Sequence, residues 1–231
     1  MANFPNNNAA FPSAQVDSRS VFIMRTYTHV VGGILGFILV ELALFESGLA
    51  QTIAHFMLGF SWMLILGAFM LVGWLATRTA QTSTSIGMQY FAYAAYVVAE
   101  ALIFVPLLYI ANLKAPGTID SATLVTALGA GGLMIVAHQT RKDFSFLRGI
   151  LMWGGVVAII AVVGALVFGF QLGTWFSVAM IGFAGAAVLY DTSNIIHVYP
   201  EDRYVAAAMQ LFASIALMFW YVLRLLMGSR N

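Results

Sequence analysis

Three acidic side chains interrupt the long apolar stretches of this sequence: Glu41, Glu100 and Asp191. A charge inside a bilayer is costly, so an acidic residue in such a stretch indicates ion binding, gating or proton transfer. We expect Glu100 to line a cavity or to carry a proton, because it lies deep within its stretch. For Glu41 two interpretations stay open: a companion of Glu100 in a pore or proton path, or a residue at the outer rim of the membrane.

Asp191 begins the polar run 191–194, close to the end of its apolar stretch. This run predicts either a pH-sensitive gate or a helix cap, because such short polar side chains bond readily to nearby backbone. Arg78 ends an earlier stretch on the same predicted face of the membrane, so an Arg78–Asp191 ion pair is geometrically allowed. His197 is a candidate pH-sensitive neighbour of Asp191, since histidine titrates near neutral pH.

The residue patterns favour neither an enzyme nor a resident metal or cofactor. No two of the four histidines share a helical face at ligand spacing, and the chain has no cysteines. The only lysines, Lys114 and Lys142, lie outside the apolar stretches, so a retinal-binding lysine is missing. No second aspartate lies in a stretch, which excludes an intramembrane aspartyl dyad. No nucleophile, base and orienting group can be combined within the stretches.

The elements that carry these residues are membrane spans. Hydrophobic residues make up 61% of the 231-residue chain and charged residues 8%, against about 45–50% and about 25% in soluble domains. This composition excludes a soluble domain, a disordered chain and a nucleic-acid binder, and predicts an all-α polytopic membrane protein in contact with the lipid bilayer. A span needs about 20 apolar residues. Seven stretches are predicted to span: Thr28–Leu44, Ile53–Ala76, Ile86–Ala111, Ala122–His138, Leu147–Phe170, Trp175–Ile196 and Tyr204–Met227.

The polar remainder predicts the domain limits and the orientation. Residues 1–20 are expected to form a flexible polar tail without signal-peptide features, and residues 21–231 one transmembrane domain. With seven spans the basic residues favour a cytoplasmic N-terminus and an outside C-terminus; a six-span chain, ending inside, stays open. The face assigned to the cytoplasm carries Arg19, Arg25, Arg78, Arg141, Lys142, Arg148 and Arg203, and the other face carries Lys114, Arg224 and Arg230.

Several segments resemble the Bax inhibitor family, also called the transmembrane Bax inhibitor motif family, and above all its bacterial members. The segment Thr140–Leu147 resembles the loop between the fourth and fifth helices of that family, and Tyr190–His197 is similar to its sixth-helix signature. The entry into the first helix, Phe22–Tyr27, and Glu100 followed by Pro106 are similar as well. The likeness covers nearly the whole chain after the tail.

The resemblance implies a fold and two functions. The fold has two layers of three helices around a central seventh helix. Family members are described as pH-sensitive calcium leak channels, which makes calcium the expected transported ion, and one bacterial branch binds and restrains a membrane-embedded AAA protease. The implied location is the bacterial inner membrane.

One departure from the family pattern bears on both functions. In the leak channels an aspartate that matches Asp191 shares a proton with a second aspartate on the seventh helix, and a basic residue that matches Arg78 latches the closed state. Here the second aspartate's place falls at about Ser214, and no Asp or Glu follows Arg203. Calcium prefers six to eight oxygens, so a site built from Asp191 and the side chains of Ser193, Asn194 and Ser214 would be weak.

The chain is therefore predicted to be a pH-modulated cation leak channel with a single-aspartate sensor. The alternative is a non-enzymatic modulator that docks on a membrane AAA protease and offers the tail Met1–Ser20 to it.

Overall fold

The computed structural model describes the backbone of residues 11–228 and the side chains of residues 18–228. Within that range the chain is helical and contains no strand. The elements are α1 (Phe11–Glu46), α2 (Leu49–Gly59), α3 (Trp62–Thr82), α4 (Ile86–Lys114), α5 (Thr118–Thr140), α6 (Leu147–Phe168), α7 (Gly173–His197), a 3-10 turn (Glu201–Arg203) and α8 (Tyr204–Gly228).

Seven helices of the described chain, all except α2, are long and apolar enough to cross a membrane, which confirms the predicted number of spans. The predicted second stretch, Ile53–Ala76, was wrong as a single helix. Phe60 (φ −102°, ψ 164°) and Ser61 (φ −62°, ψ 109°) are extended and separate α2 from α3. Extended residues break the pattern of backbone bonds four residues apart, so one apolar stretch forms two helices.

Helix α8 lies at the centre of the bundle and packs against α1, α3, α4, α5 and α7. Helices α1, α3 and α4 pack together as one layer, while α7 joins α5 and α6 into the second. This arrangement confirms the two layers around a central last helix. Helix α6 has no buried residue, whereas α4 and α8 supply most of the core, so the lipid-facing and interior helices are clearly distinguished.

The start of α1 is held against the end of α7. The Arg19 guanidinium donates hydrogen bonds to the backbone carbonyls of Ile195 (2.7 Å), Ile196 (3.1 Å) and Tyr199 (2.5 Å). The last carbonyls of a helix have no partner within the helix and attract cations, so Arg19 caps α7. We call this end of the bundle, where α1 begins and α7 ends, the basic end.

The structure describes only the second half of the predicted tail, residues 1–20. Helix α1 begins at Phe11, so the backbone of residues 11–20 is helical. Residues 1–10 of the predicted tail lie outside the described residues.

Candidate functional site

Asp191 lies between α7 and α8 and is only 2% exposed. The Ser214 hydroxyl of α8 donates a hydrogen bond of 2.5 Å to its Oδ2 atom. Ser214, at the position expected for a second aspartate, thus lies in direct contact with Asp191. A hydroxyl stabilises the carboxylate by donating to it, but it brings no second negative charge, so the two residues do not form a proton-sharing acidic pair.

Glu100 lies on α4 and is 6% exposed. The Tyr96 hydroxyl, one turn earlier on the same helix, donates a 2.7 Å hydrogen bond to its Oε1 atom. The ring of Tyr96 packs on Phe212 of α8 at 6.3 Å between centroids, and Tyr93 packs on the same ring at 6.1 Å. We call Tyr93, Tyr96 and Phe212 the aromatic cluster. It lies between Glu100 and the basic end, because both tyrosines precede Glu100 on α4.

Glu41 lies on α1, near the end of the bundle opposite the basic end, and is 7% exposed. Neither of its carboxylate oxygens has a hydrogen-bond partner. The residue lines a cavity of about 540 Å³ between α1, α4, α5 and α8. Glu100 is not part of the lining, so the structure does not bring the two glutamates into one cavity.

Arg78 does not reach Asp191, so the hypothesis of an Arg78–Asp191 ion pair is wrong for this structure. The Arg78 side chain is exposed, and its guanidinium lies 5.3 Å from the centre of the Trp74 ring. Helix α3 packs mainly on α4, whereas Asp191 faces α8. Among the described residues the only salt bridge joins Arg203 to Asp202.

The predicted weak calcium site around Asp191 stays a prediction, and one of its proposed ligands has another partner. The Ser193 hydroxyl accepts a 3.1 Å hydrogen bond from the backbone N–H of Phe144, in the α5–α6 loop. Successive helical residues are rotated by about 100°, so Ser193, two residues after Asp191, lies on a different face of α7. Within residues 18–228 no group of three acidic, histidine or cysteine side chains is arranged to hold a metal.

The hydrogen-bond contact of His197 is with its own helix. The side chain is exposed, and its Nδ1 atom is 3.1 Å from the Ser193 carbonyl. The polar run 191–194 therefore has two roles: Asp191 bonds to α8, and Ser193 secures the α5–α6 loop. Burial raises the pKa of the nearby Tyr199 phenol above its ordinary value, so this side chain stays neutral at the basic end.

Sequence reasoning missed two features of this interior. The contact of Tyr96 with Glu100 could have been predicted from the sequence, because the two residues are four apart and face the same side of α4. No sequence pattern predicts the cavity at Glu41, since it depends on how four helices are spaced.

Comparisons with known proteins bear on the family of the chain. A family model described as "Inhibitor of apoptosis-promoting Bax1" matches residues 19–231. The chain is similar to "Modulator of FtsH protease YccA" of Escherichia coli, with 36% identity over 110 residues that cover 44% of this chain and 50% of that protein. It is 39% identical to an uncharacterized protein of Pseudomonas aeruginosa over 110 residues, 46% of this chain and 48% of that one.

A human relative is more distant. "Protein lifeguard 3" of Homo sapiens is 27% identical over 119 residues, which cover 48% of this chain and 38% of that protein. The chain spans about half the length of the curated bacterial relatives it matches.

Proposed function

The chain belongs to the Bax inhibitor family, and from this membership we propose that it is a non-enzymatic modulator that binds a membrane-embedded AAA protease in the bacterial inner membrane. The observation that carries the proposal is the contact of Ser214 with Asp191. A serine at this place removes the acidic pair that the leak-channel pattern requires. The similarity to a protein named as a modulator of a membrane protease supports the same choice.

The basic end is the proposed docking region. Arg19 ties the start of α1 to the end of α7, and Arg203 donates a 2.6 Å hydrogen bond to the Ser83 carbonyl in the α3–α4 connection. These bonds make this end a fixed platform rather than a set of loose loops. The positive-inside rule assigns it to the cytoplasm, and we infer that residues 1–10 are the element offered to the protease there.

Co-purification and substrate lifetime test the proposal together. The full chain should co-purify with the host's membrane AAA protease, and its overproduction should lengthen the half-life of a membrane substrate of that protease. A chain that lacks residues 2–10 should keep its thermal unfolding temperature in detergent but lose both effects. Replacing residues 2–10 with a glycine–serine segment of equal length separates sequence from length. A full chain that neither co-purifies nor alters the half-life would contradict the proposal.

A second candidate is a cation leak with calcium as the transported ion. It is favoured by the burial of Asp191 and Glu100, two acidic side chains on the interior faces of α7 and α4. With Arg78 away from Asp191, gating would act through the α7–α8 contact. Protonating Asp191 would weaken the Ser214 bond and allow these helices to separate. The aromatic cluster would close the path between the two carboxylates.

Calcium entry into liposomes at pH 6 and pH 8 tests this candidate. Asp191→Asn should raise the leak and remove its dependence on pH, because the variant mimics the protonated state. Glu100→Gln should change the rate without removing the pH dependence. Calcium entry no greater than in empty liposomes would remove the leak function and leave the protease modulator.

A further inference from the structure

The cavity beside Glu41 combines an apolar wall with one buried carboxylate. Its volume is about 540 Å³, which is within the usual range of about 300–1,000 Å³ for small-molecule sites. Helices α1 and α5 both pack on α8 but make no extensive contact with each other. Exposed Ile38 and Leu42 of α1 line the cavity. A small molecule can therefore enter between α1 and α5 from the lipid side.

Two buried polar side chains of the cavity lack partners. Both oxygens of Glu41 are unpaired, and so is the Thr126 hydroxyl on the facing helix α5. Asp120 adds a second acidic side chain to the lining, which contains no lysine, arginine or histidine. An unpaired buried carboxylate is costly unless a cation or hydrogen-bond donor meets it. No cation or donor of the protein bonds to Glu41, so a ligand that brings a positively charged N–H donor complements it.

The walls identify the kind of cation. Five phenylalanine rings line the cavity: Phe37, Phe45, Phe104, Phe212 and Phe219. Aromatic faces attract organic ammonium groups, whereas a metal ion such as calcium requires a shell of oxygens that this lining does not provide. Fatty acids and anionic lipids would place a negative charge against Glu41.

We propose that this cavity binds a hydrophobic organic ammonium, with Glu41 as its counter-charge and the phenylalanine rings around its apolar body. The site is independent of the proposed protease modulation, because it lies at the opposite end of the bundle from Arg19.

Three probes with one carbon skeleton test the site: phenylbutylammonium, phenylbutanol and phenylbutyrate. Each is added to the full chain in phosphatidylcholine nanodiscs, and binding is measured by equilibrium dialysis with empty nanodiscs subtracted. The ammonium should bind at least about tenfold more tightly than the alcohol, since a charge-assisted contact exceeds a neutral one by roughly this factor. The carboxylate probe should not bind.

Glu41→Gln should bring the affinity for the ammonium down to that for the alcohol. Glu46→Gln is the matched control on the same helix, because Glu46 is exposed and lies outside the lining; it should leave the preference intact. Equal binding of the three probes, or an ammonium preference that survives in Glu41→Gln, would overturn the proposal and indicate ordinary occupation by lipid chains.

A second pair of variants keeps Glu41 and tests the volume of the cavity. Ala127 lines the cavity, so Ala127→Trp should fill it and abolish binding of both ammonium and alcohol. The neighbouring Leu128 is 68% exposed and outside the lining, so Leu128→Trp should bind the ammonium normally. No ammonium binding above empty nanodiscs in the unmodified chain, or undiminished binding in Ala127→Trp, would also refute the site.

Discussion

The two ends of the bundle differ in what surrounds their polar groups, although each end holds buried oxygens without a partner: those of Tyr27, Gln89 and Thr192 near the basic end, and those of Glu41 and Thr126 at the far end. At the basic end Arg19, Arg203 and Ser193 each bond to the backbone of a different element and so join helices and loops. At the far end Glu41 and Thr126 face a cavity with no partner at all. Polar groups that bond to backbone hold a structure together, whereas unpaired groups in an open cavity are available to a ligand. The bonds of the basic end therefore fix the platform proposed for docking, and the cavity at the far end is suited to a small ligand.

The largest effect should come from breaking the basic end. Arg19→Ala removes three hydrogen bonds from a charged donor and leaves the last carbonyls of α7 unpaired, so we expect a loss of about 2–3 kcal/mol of stability. The measurement is thermal unfolding of the purified protein in detergent. Arg25→Ala is the control, because Arg25 is exposed and its guanidinium only lies over the Tyr204 ring. Equal losses in the two variants would show that Arg19 is not a special anchor.

The sequence predicts the depth of a residue in the membrane better than the direction in which it faces around the bundle. Counting residues along a helix gives depth, so it places Arg78 and Asp191 near the same end of the bundle. It does not give the direction around the bundle, and for this reason the pairing of Arg78 with Asp191 was wrong. The contact between Asp191 and Ser214 followed instead from the family resemblance, which aligns whole helices.

Two other features lie beyond a reading of apolar stretches. The break at Phe60 and Ser61 lies within an almost uninterrupted apolar segment. Hydropathy does not reveal it, because hydropathy measures burial in lipid and not the continuity of a helix. The cavity depends on the separation of α1 and α5 around α8, which no local pattern encodes. The number of spans was predictable, since each span needs its own long apolar stretch.

A second prediction concerns the close packing of α1 against α4 within one layer. A Cβ atom at Gly33 would overlap the Tyr93 hydroxyl, which donates a 3.0 Å hydrogen bond to the His29 carbonyl. Gly33→Ala should therefore displace Tyr93 and cost about 2 kcal/mol, as overpacking does. The neighbouring Gly32 has open space, so Gly32→Ala should be neutral or slightly stabilising. The measurement is the unfolding temperature of each variant in detergent. An unfolding temperature of Gly33→Ala equal to that of the unmodified chain would show that α1 and α4 are loosely packed.

A third prediction measures the contact of α7 with α8. Ser214→Ala leaves Asp191 buried without its donor, and we expect a loss of about 1 kcal/mol, the usual size for hydrogen bonds between membrane helices. A double-mutant cycle with Asp191→Asn isolates the pair, because the coupling remains after the effects of each single change are subtracted. A coupling indistinguishable from zero would mean that the contact contributes nothing to stability.

The smallest effect, and the one of opposite sign, should come from the far end. Glu41→Gln replaces an unpaired acid by a neutral amide of the same shape, and burying an amide costs less than burying a charge. At pH 8, without added ligand, we expect a gain of about 0.5 kcal/mol in stability. Glu46→Gln, an exposed change on the same helix, should leave the unfolding temperature unchanged. A clear loss in Glu41→Gln would mean that the carboxylate contributes to the fold, and the contrast between the anchoring bonds of the basic end and the ligand cavity of the far end would then fail. A gain would mean that Glu41 is retained at a cost to stability, as expected of a group that serves a ligand.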